Sequence, residues 1–93
     1  MVDRESEEVL KWAHERGLAT LTYGTLAGGI LTGAFRTLPH FGPKDIRYTF
    51  YTGFKEPLFS KVQKLLLDMD TLAAKHGRPV AQVALAWAMQ KDF

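Results

Sequence analysis

The sequence predicts an α/β fold that is incomplete in itself, and three observations lead there. The expected element order is helix, strand, long loop, helix, helix, so one strand stands alone where a sheet needs several. That strand, residues 18–23, carries Leu18, Thr20 and Thr22 on one face and Ala19, Leu21 and Tyr23 on the other. Neither face is strongly polar, the pattern of a parallel-sheet strand covered by helices on both sides. The last helix, residues 80–89, is apolar almost all round, interrupted only by Gln82. A helix of that kind is buried on several sides. A lone strand leaves backbone N–H and C=O groups without partners. Strand and helix both call for neighbours that these residues do not supply, so the chain reads as a single partial domain over 1–93.

The remaining elements follow in order. Asp3 is placed to cap the first helix, with Glu5, Glu7 and Glu8 in its opening turns, where the positive end of the helix dipole favours them. Val2, Ser6, Val9, Leu10 and Ala13 share one helical face, and Gly17 follows as the residue that ends it. After the strand come Gly24, Gly28, Gly29 and Gly33, four glycines in ten residues. Residues 34–57 hold three of the four prolines and read as a long loop, with one extended piece at 46–51. A loop this long in a small domain is functional or marks a missing partner. Helical spacing returns at 59–76, where Phe59, Val62, Leu65, Leu66, Met69, Leu72 and Ala73 form one stripe. Gly77 ends that helix and Pro79 suits the first position of the next.

Composition narrows the function. At 93 residues the chain can bury only roughly two thirds of its unfolded surface, enough for a modest core. Hydrophobic residues make up 46% and charged residues 24%, which excludes a disordered tail. Twelve Lys and Arg against ten Asp and Glu leave +2, no electrostatic case for nucleic acid or anionic lipid. The absence of cysteine removes disulfides and thiolate metal sites, and no apolar run is long enough to span a membrane. The acidic start is unlike a secretion signal. A cytoplasmic chain is expected.

The glycine segment is the candidate for chemistry. A strand running into a glycine-rich turn presents backbone N–H groups to phosphates. The pattern is neither the dinucleotide fingerprint nor a P-loop, since Ala34 stands after Gly33 where a P-loop requires Lys. A turn that merely packs close to a helix remains open on pattern alone. The run Tyr23-Gly24-Thr25-Leu26-Ala27-Gly28-Gly29-Ile30-Leu31-Thr32-Gly33 resembles the Y-[SG]-x-L-x-x-G-x-L-[TS]-G segment of the aldo-keto reductases. Its pattern is nearest the bacterial general-stress and potassium-channel β-subunit branches. Gly77-Arg78-Pro79-Val80-Ala81-Gln82-Val83-Ala84-Leu85-Ala86-Trp87 is similar to the helix that precedes the eighth barrel strand in that family. Residues 8–18 look like the helix running into the seventh.

That resemblance implies a partial (β/α)8 TIM barrel, the C-terminal helices and about one strand of a fold that needs about 250 residues. It implies reduction of aldehydes and ketones with NADP(H). Tyr23 would lie against the nicotinamide ring, and Gly24, Thr25, Leu26, Ala27 and Gly28 would follow the pyrophosphate with main-chain atoms. Arg47 would reach a phosphate from the loop, although a solvated loop charge is its plainer reading. The family's catalytic Asp, Tyr, Lys and His come from earlier strands. None of Tyr23, Tyr48, Tyr51, His14, His40 or His76 sits in a matching motif, so no catalytic residue is expected in this chain. The eighth strand and the segment gripping the 2′-phosphate would lie past Phe93, and Ala34 replaces a Lys that touches the cofactor in several relatives.

The bland readings are equally specific. His14 and His76 sit at helix ends, where histidine complements the last carbonyls. His40 has no second ligand at metal spacing. Phe50, Tyr51, Phe54 and Phe59 form either a pocket wall or a satellite hydrophobic cluster. Trp12 and Trp87 are read as packing residues. Two other classes compete with the oxidoreductase. A helix-turn-helix around Gly77 would place Val80, Ala81, Val83 and Ala84 where a DNA-reading helix needs polar groups. A non-catalytic piece that completes or caps another barrel would use the apolar last helix as its contact and would self-associate when isolated.

Overall fold

The computed structural model describes residues 4–92. The expected Asp3 cap, the place of Val2 on the first helix and the terminal Phe93 lie outside the described residues. Helix α1 spans Glu7–Glu15, with Glu7 and Glu8 in its first turn and Ser6 at the cap position without a side-chain capping bond. Its end follows the sequence. Gly17 takes φ 65°, its N–H donates to the His14 carbonyl at 2.9 Å, and the Leu18 N–H donates to the Ala13 carbonyl at 3.0 Å. This is the paired bonding that a left-handed glycine makes possible after a helix.

Residues 18–24 correct the first expectation. Among the described residues there is no strand, and Leu18, Leu21 and Tyr23 are 52%, 99% and 91% exposed. A strand is defined by the ladder it shares with a neighbour, and no neighbouring strand is present to complete one. The described chain is therefore helical rather than α/β.

The glycine segment follows as a tight helical stretch, Ala27–Thr32, kinked at Gly28 (φ 70°) and Gly29 (φ 98°) and closed by Gly33 at φ 78°. The expected long loop at 34–57 contains two short turns of its own. The piece expected to be extended at 46–51 is instead one turn of helix, α2 (Arg47–Phe50). Its cause is local: the Asp45 carboxylate accepts the Arg47 N–H at 2.9 Å, and the Phe50 N–H donates to the Ile46 carbonyl at 2.8 Å. An Asp that bonds the backbone two residues on turns the chain, and here that outweighs the alternating pattern. A single tight turn, Thr52–Phe54, leads into the long helix α3, Leu58–His76.

Helix α3 ends at Gly77 (φ 59°), whose successor Arg78 donates to the Ala73 carbonyl at 3.0 Å. Helix α4 spans Val80–Met89, with Pro79 at the cap in extended conformation, one residue earlier than the sequence suggests. The core gathers on α3. Phe59, Val62, Leu66, Met69 and Ala73 are buried, and against them pack Val80 and Ala84 of α4, Ile30 of the glycine segment and Phe54. Leu65 and Leu72, at the edges of the expected stripe, are 43% and 48% exposed. Helix α4 is covered on one side only, leaving Trp87 and Met89 exposed. Trp12 is also half-exposed, with Arg16 stacked 4.3 Å from its ring centre, so neither tryptophan is a core residue.

Around that core sit three linked phenylalanines. Phe35, Phe41 and Phe54 meet edge to face, with ring centres 4.9–5.7 Å apart. The Gln63 amide donates to the Phe35 carbonyl at 2.9 Å, and Arg36 forms a two-pronged ion pair with Asp70 of α3 at 2.8 and 2.9 Å. These contacts hold residues 33–36 against the middle of α3. Helix α1 is tied more loosely: Ala13, its one buried residue among those described, lies outside the core cluster. Glu7 of α1 pairs with Lys91, just past α4, at 3.4 Å.

The result is open. The radius of gyration is 15.0 Å, whereas a compact domain of this length has about 12 Å. The accessible surface is 7141 Å², against about 5,400 Å² for a compact monomer of this mass. Among the described residues no helix is long and apolar enough to cross a membrane.

Leu66, fully buried, and Leu67, 65% exposed, are adjacent in sequence and opposite in environment. Leu66→Ala is expected to cost about 2–5 kcal/mol and Leu67→Ala no more than about 0.5 kcal/mol. Urea denaturation followed by far-ultraviolet circular dichroism distinguishes them.

Candidate functional site

The glycine segment is held from below by Ile30. That side chain is fully buried, and the space over Gly53 is filled by it, with its Cδ1 3.5 Å from where a Cβ would sit. Leu26 and Ala27 pack on the same core from one side, and Leu31 from the other. The upper part of the segment turns outward. Gly24 takes φ 70° and Ala27 φ 50°, a left-handed conformation rare outside glycine.

Internal hydrogen bonds use some amides and not others. The Ala27 N–H donates to the Gly24 carbonyl at 2.8 Å, and the Gly29 N–H to the Leu26 carbonyl at 3.0 Å. Among the described residues, the amides of Gly24, Thr25 and Leu26 donate to no backbone or side-chain acceptor. Three successive amides in a turn flanked by left-handed Gly24 and Ala27 are a concentrated source of positive partial charge. The Thr22 and Thr25 hydroxyls stand 3.4 Å apart beside them.

Two cavities meet at Gly24. The larger, about 580 Å³, lies between α1, residues 21–25, α3 and α4, and is walled by Val9, Leu10, Leu21, Leu65, Met69 and Trp87. The smaller, about 230 Å³, is lined by Gly24, Ala27 and residues 50–53. Tyr23, Gly24 and Thr25 line the larger, Gly24 and Ala27 the smaller. Leu26 turns to the core, and Gly28 lies under the Tyr51 ring. Four of the seven sequence-predicted residues, Tyr23, Gly24, Thr25 and Ala27, thus line the cavity rim.

Arg47 stands apart from that rim. Its guanidinium grips the Asp45 carboxylate with Nη2–Oδ2 at 2.6 Å and Nε at 3.0 and 3.1 Å from the two oxygens. It also stacks 4.2 Å from the Phe41 ring centre, and Phe35, 5.6 Å away, reaches on to Gly29. The Arg47 hydrogen bonds hold the Asp45 carboxyl below the usual aspartate range. This pairing and stacking replace the free loop charge that the sequence suggested.

The alternative readings of the loop aromatics separate. Phe54 and Phe59 are core, Phe50 is exposed, and Tyr51 closes on the glycine segment. Tyr51 is the contact that spacing could not reveal, because it depends on the turn at α2. Among the described residues no group of three or more His, Cys, Asp or Glu could hold a metal ion.

The glycine segment stands between α1 and the helical pair α3 and α4. The chain belongs to the Aldo/keto reductase family, whose family model matches residues 1–93. It is 31% identical over 81 residues to Aldo-keto reductase str7 of Strobilurus tenacellus, covering 87% of this chain and 24% of that protein. It is 31% identical over 93 residues to Aldo-keto reductase YhdN of Bacillus subtilis (strain 168), covering 98% and 28%. Pyridoxal reductase, chloroplastic, of Arabidopsis thaliana is 28% identical over 90 residues, covering 95% and 22%. The chain thus spans about a quarter of the length of the curated relatives it matches. No solved structure matches it significantly.

The Asp45–Arg47 pair gives a pH dependence. A carboxyl whose folded pKa is depressed stabilises the fold above its unfolded value, about 3.9, and loses that contribution as pH falls through the folded value. Asp45→Asn is expected to flatten the acid limb of stability below about pH 4 and to leave its slope near neutrality unchanged. Thermal midpoints of both proteins across that range check it.

Proposed function

We propose that this chain contributes one wall of an NADP(H) site to an oxidoreductase of the aldo-keto reductase type, acting on small aldehydes or ketones. The observation that carries the reading is the run of amides at Gly24, Thr25 and Leu26 that donate to no described acceptor. A pyrophosphate needs several donors at close range, and small residues with left-handed geometry allow its approach. Tyr23, 91% exposed beside this run, offers a flat face to a nicotinamide ring. Ala27 and Gly28 extend the same backbone path. Arg47 joins the site by exchanging the Asp45 carboxylate for a phosphate, which lowers its share of the affinity. Bound cofactor supplies the hydride; this chain's residues bind and orient.

No catalytic residue is assigned. The tyrosines and histidines here stand outside the family's catalytic motifs, and the role proposed for this chain is to hold the cofactor. A second reading, a non-catalytic piece that completes another barrel, draws on the exposed Leu21, Leu67 and Met89, at 99%, 65% and 80%. It requires the purified chain to self-associate in sedimentation.

The test is thermal unfolding of the purified chain with and without NADPH. A ligand that binds only the folded form adds about 2.7 kcal/mol at a hundredfold excess over its dissociation constant. In a chain this size that moves the midpoint by roughly ten degrees or more. The expected result is a shift with NADPH and no NADPH oxidation with a small aldehyde. An unshifted midpoint contradicts the cofactor reading, and turnover contradicts the absence of a catalytic group.

A further inference from the structure

The space over Gly28 is already taken. A Cβ built at that position would stand 2.7 Å from Tyr51 Cδ2, 2.9 Å from Cε2 and 3.1 Å from Cγ. These atoms belong to the body of the ring, so they can give way only if the whole ring moves. The other end of the same side chain reaches Gly24, where the Tyr51 hydroxyl lies 3.8 Å from the corresponding Cβ position. One aromatic ring therefore spans the turn from Gly28 to Gly24, the stretch that holds the amides of Thr25 and Leu26.

The ring is anchored from behind. The Tyr51 N–H donates to the Arg47 carbonyl at 3.0 Å, closing α2, and its own carbonyl accepts from the Phe54 N–H at 3.2 Å. Phe54 is fully buried, and Gly53 rests on Ile30 of the glycine segment. Phe50 meets the Tyr51 ring edge to face at 5.0 Å. The backbone of Tyr51 is thus fixed to the same core that fixes the base of the glycine segment, and its ring closes the span between them. Its hydroxyl makes no hydrogen bond among the described residues, so shape and not polarity defines the contact.

We propose that Tyr51 is a positioning residue: it holds the turn from Gly24 to Gly28 in the shape that presents its amides to the pyrophosphate of a dinucleotide. The inference rests on the NADP(H) reading above and adds a residue to it. Without the ring, the left-handed positions at Gly24, Ala27 and Gly28 lose the surface that they close upon, and the smaller cavity loses a wall. The turn must then be ordered at the moment of binding, which weakens affinity.

The experiment uses the whole chain with Tyr51→Ala, Tyr51→Phe, Gly28→Ala and the double variant Tyr51→Ala with Gly28→Ala. NADPH affinity is measured by calorimetric titration at a temperature where circular dichroism reports each protein folded. Tyr51→Ala is expected to weaken NADPH about tenfold, the loss that follows when a preorganised loop must be ordered on binding. Tyr51→Phe, which keeps the ring, is expected to bind as the unaltered chain does. Gly28→Ala is expected to lower both affinity and thermal midpoint, and adding Tyr51→Ala to it restores part of the midpoint but not the affinity. Should Tyr51→Ala lose its cooperative transition, Tyr51→Leu carries the test, since it fills the core side but cannot reach Gly24. Undiminished affinity in Tyr51→Ala or Tyr51→Leu, where the unaltered chain binds, overturns this proposal alone. Failure of the unaltered chain to bind NADPH overturns the cofactor reading and this proposal with it.

Discussion

Ile30 and Phe54 are both fully buried, in one cluster with residues of α3 and α4. The position of the glycine segment follows from that contact. Phe54 draws the end of the 34–57 region onto the helix, Ile30 draws the glycine segment down beside it, and Gly53 lets the two pass at van der Waals distance. Arg36 and Gln63 then secure the intervening residues to the flank of α3. With the base held, the amides of Gly24, Thr25 and Leu26 stay uncommitted among the described residues. The site is therefore a consequence of core packing, and no separate device builds it.

The opposite half of the molecule has no such anchor. Glu7 of α1 pairs with Lys91, an exposed pair of the kind that contributes little. Residues 18–23 run between α1 and the glycine segment with their apolar side chains uncovered. The larger cavity is the space enclosed between these loosely held parts and the packed helices. The radius of gyration is 15.0 Å, and α3 and α4 keep exposed apolar residues such as Leu67 and Met89.

Much of this was legible in the sequence, and what escaped has common physical causes. The ends of α1 and α3 could be read because Gly17 and Gly77 act locally, through conformations other residues avoid. The stripe on α3 could be read because burial repeats at helical period. The strand expected at 18–23 is absent among the described residues, because a strand exists only with its partner and pattern cannot supply one. Residues 46–51 alternate as a strand would, yet a single carboxylate at Asp45 turned them into a helix. Arg47 looked like a loose cation because stacking on Phe41 depends on a fold that no spacing encodes. The motif marked Tyr23 to Gly28 as a candidate site, whereas Tyr51, which closes on Gly28, lies across the loop and has no motif to mark it.

One packed unit, α3 with α4 and the base of the glycine segment, carries the 24–26 turn beside an unpaired stretch. Hydrogen exchange on the isolated chain tests this most directly. The account predicts strong protection for the amides of Val62, Leu66 and Met69, and exchange near the unfolded rate for Thr20, Leu21, Thr22, Gly24 and Thr25. Protection at Thr20, Leu21 and Thr22 equal to that of α3 would contradict it, because those amides would then be held in a paired strand.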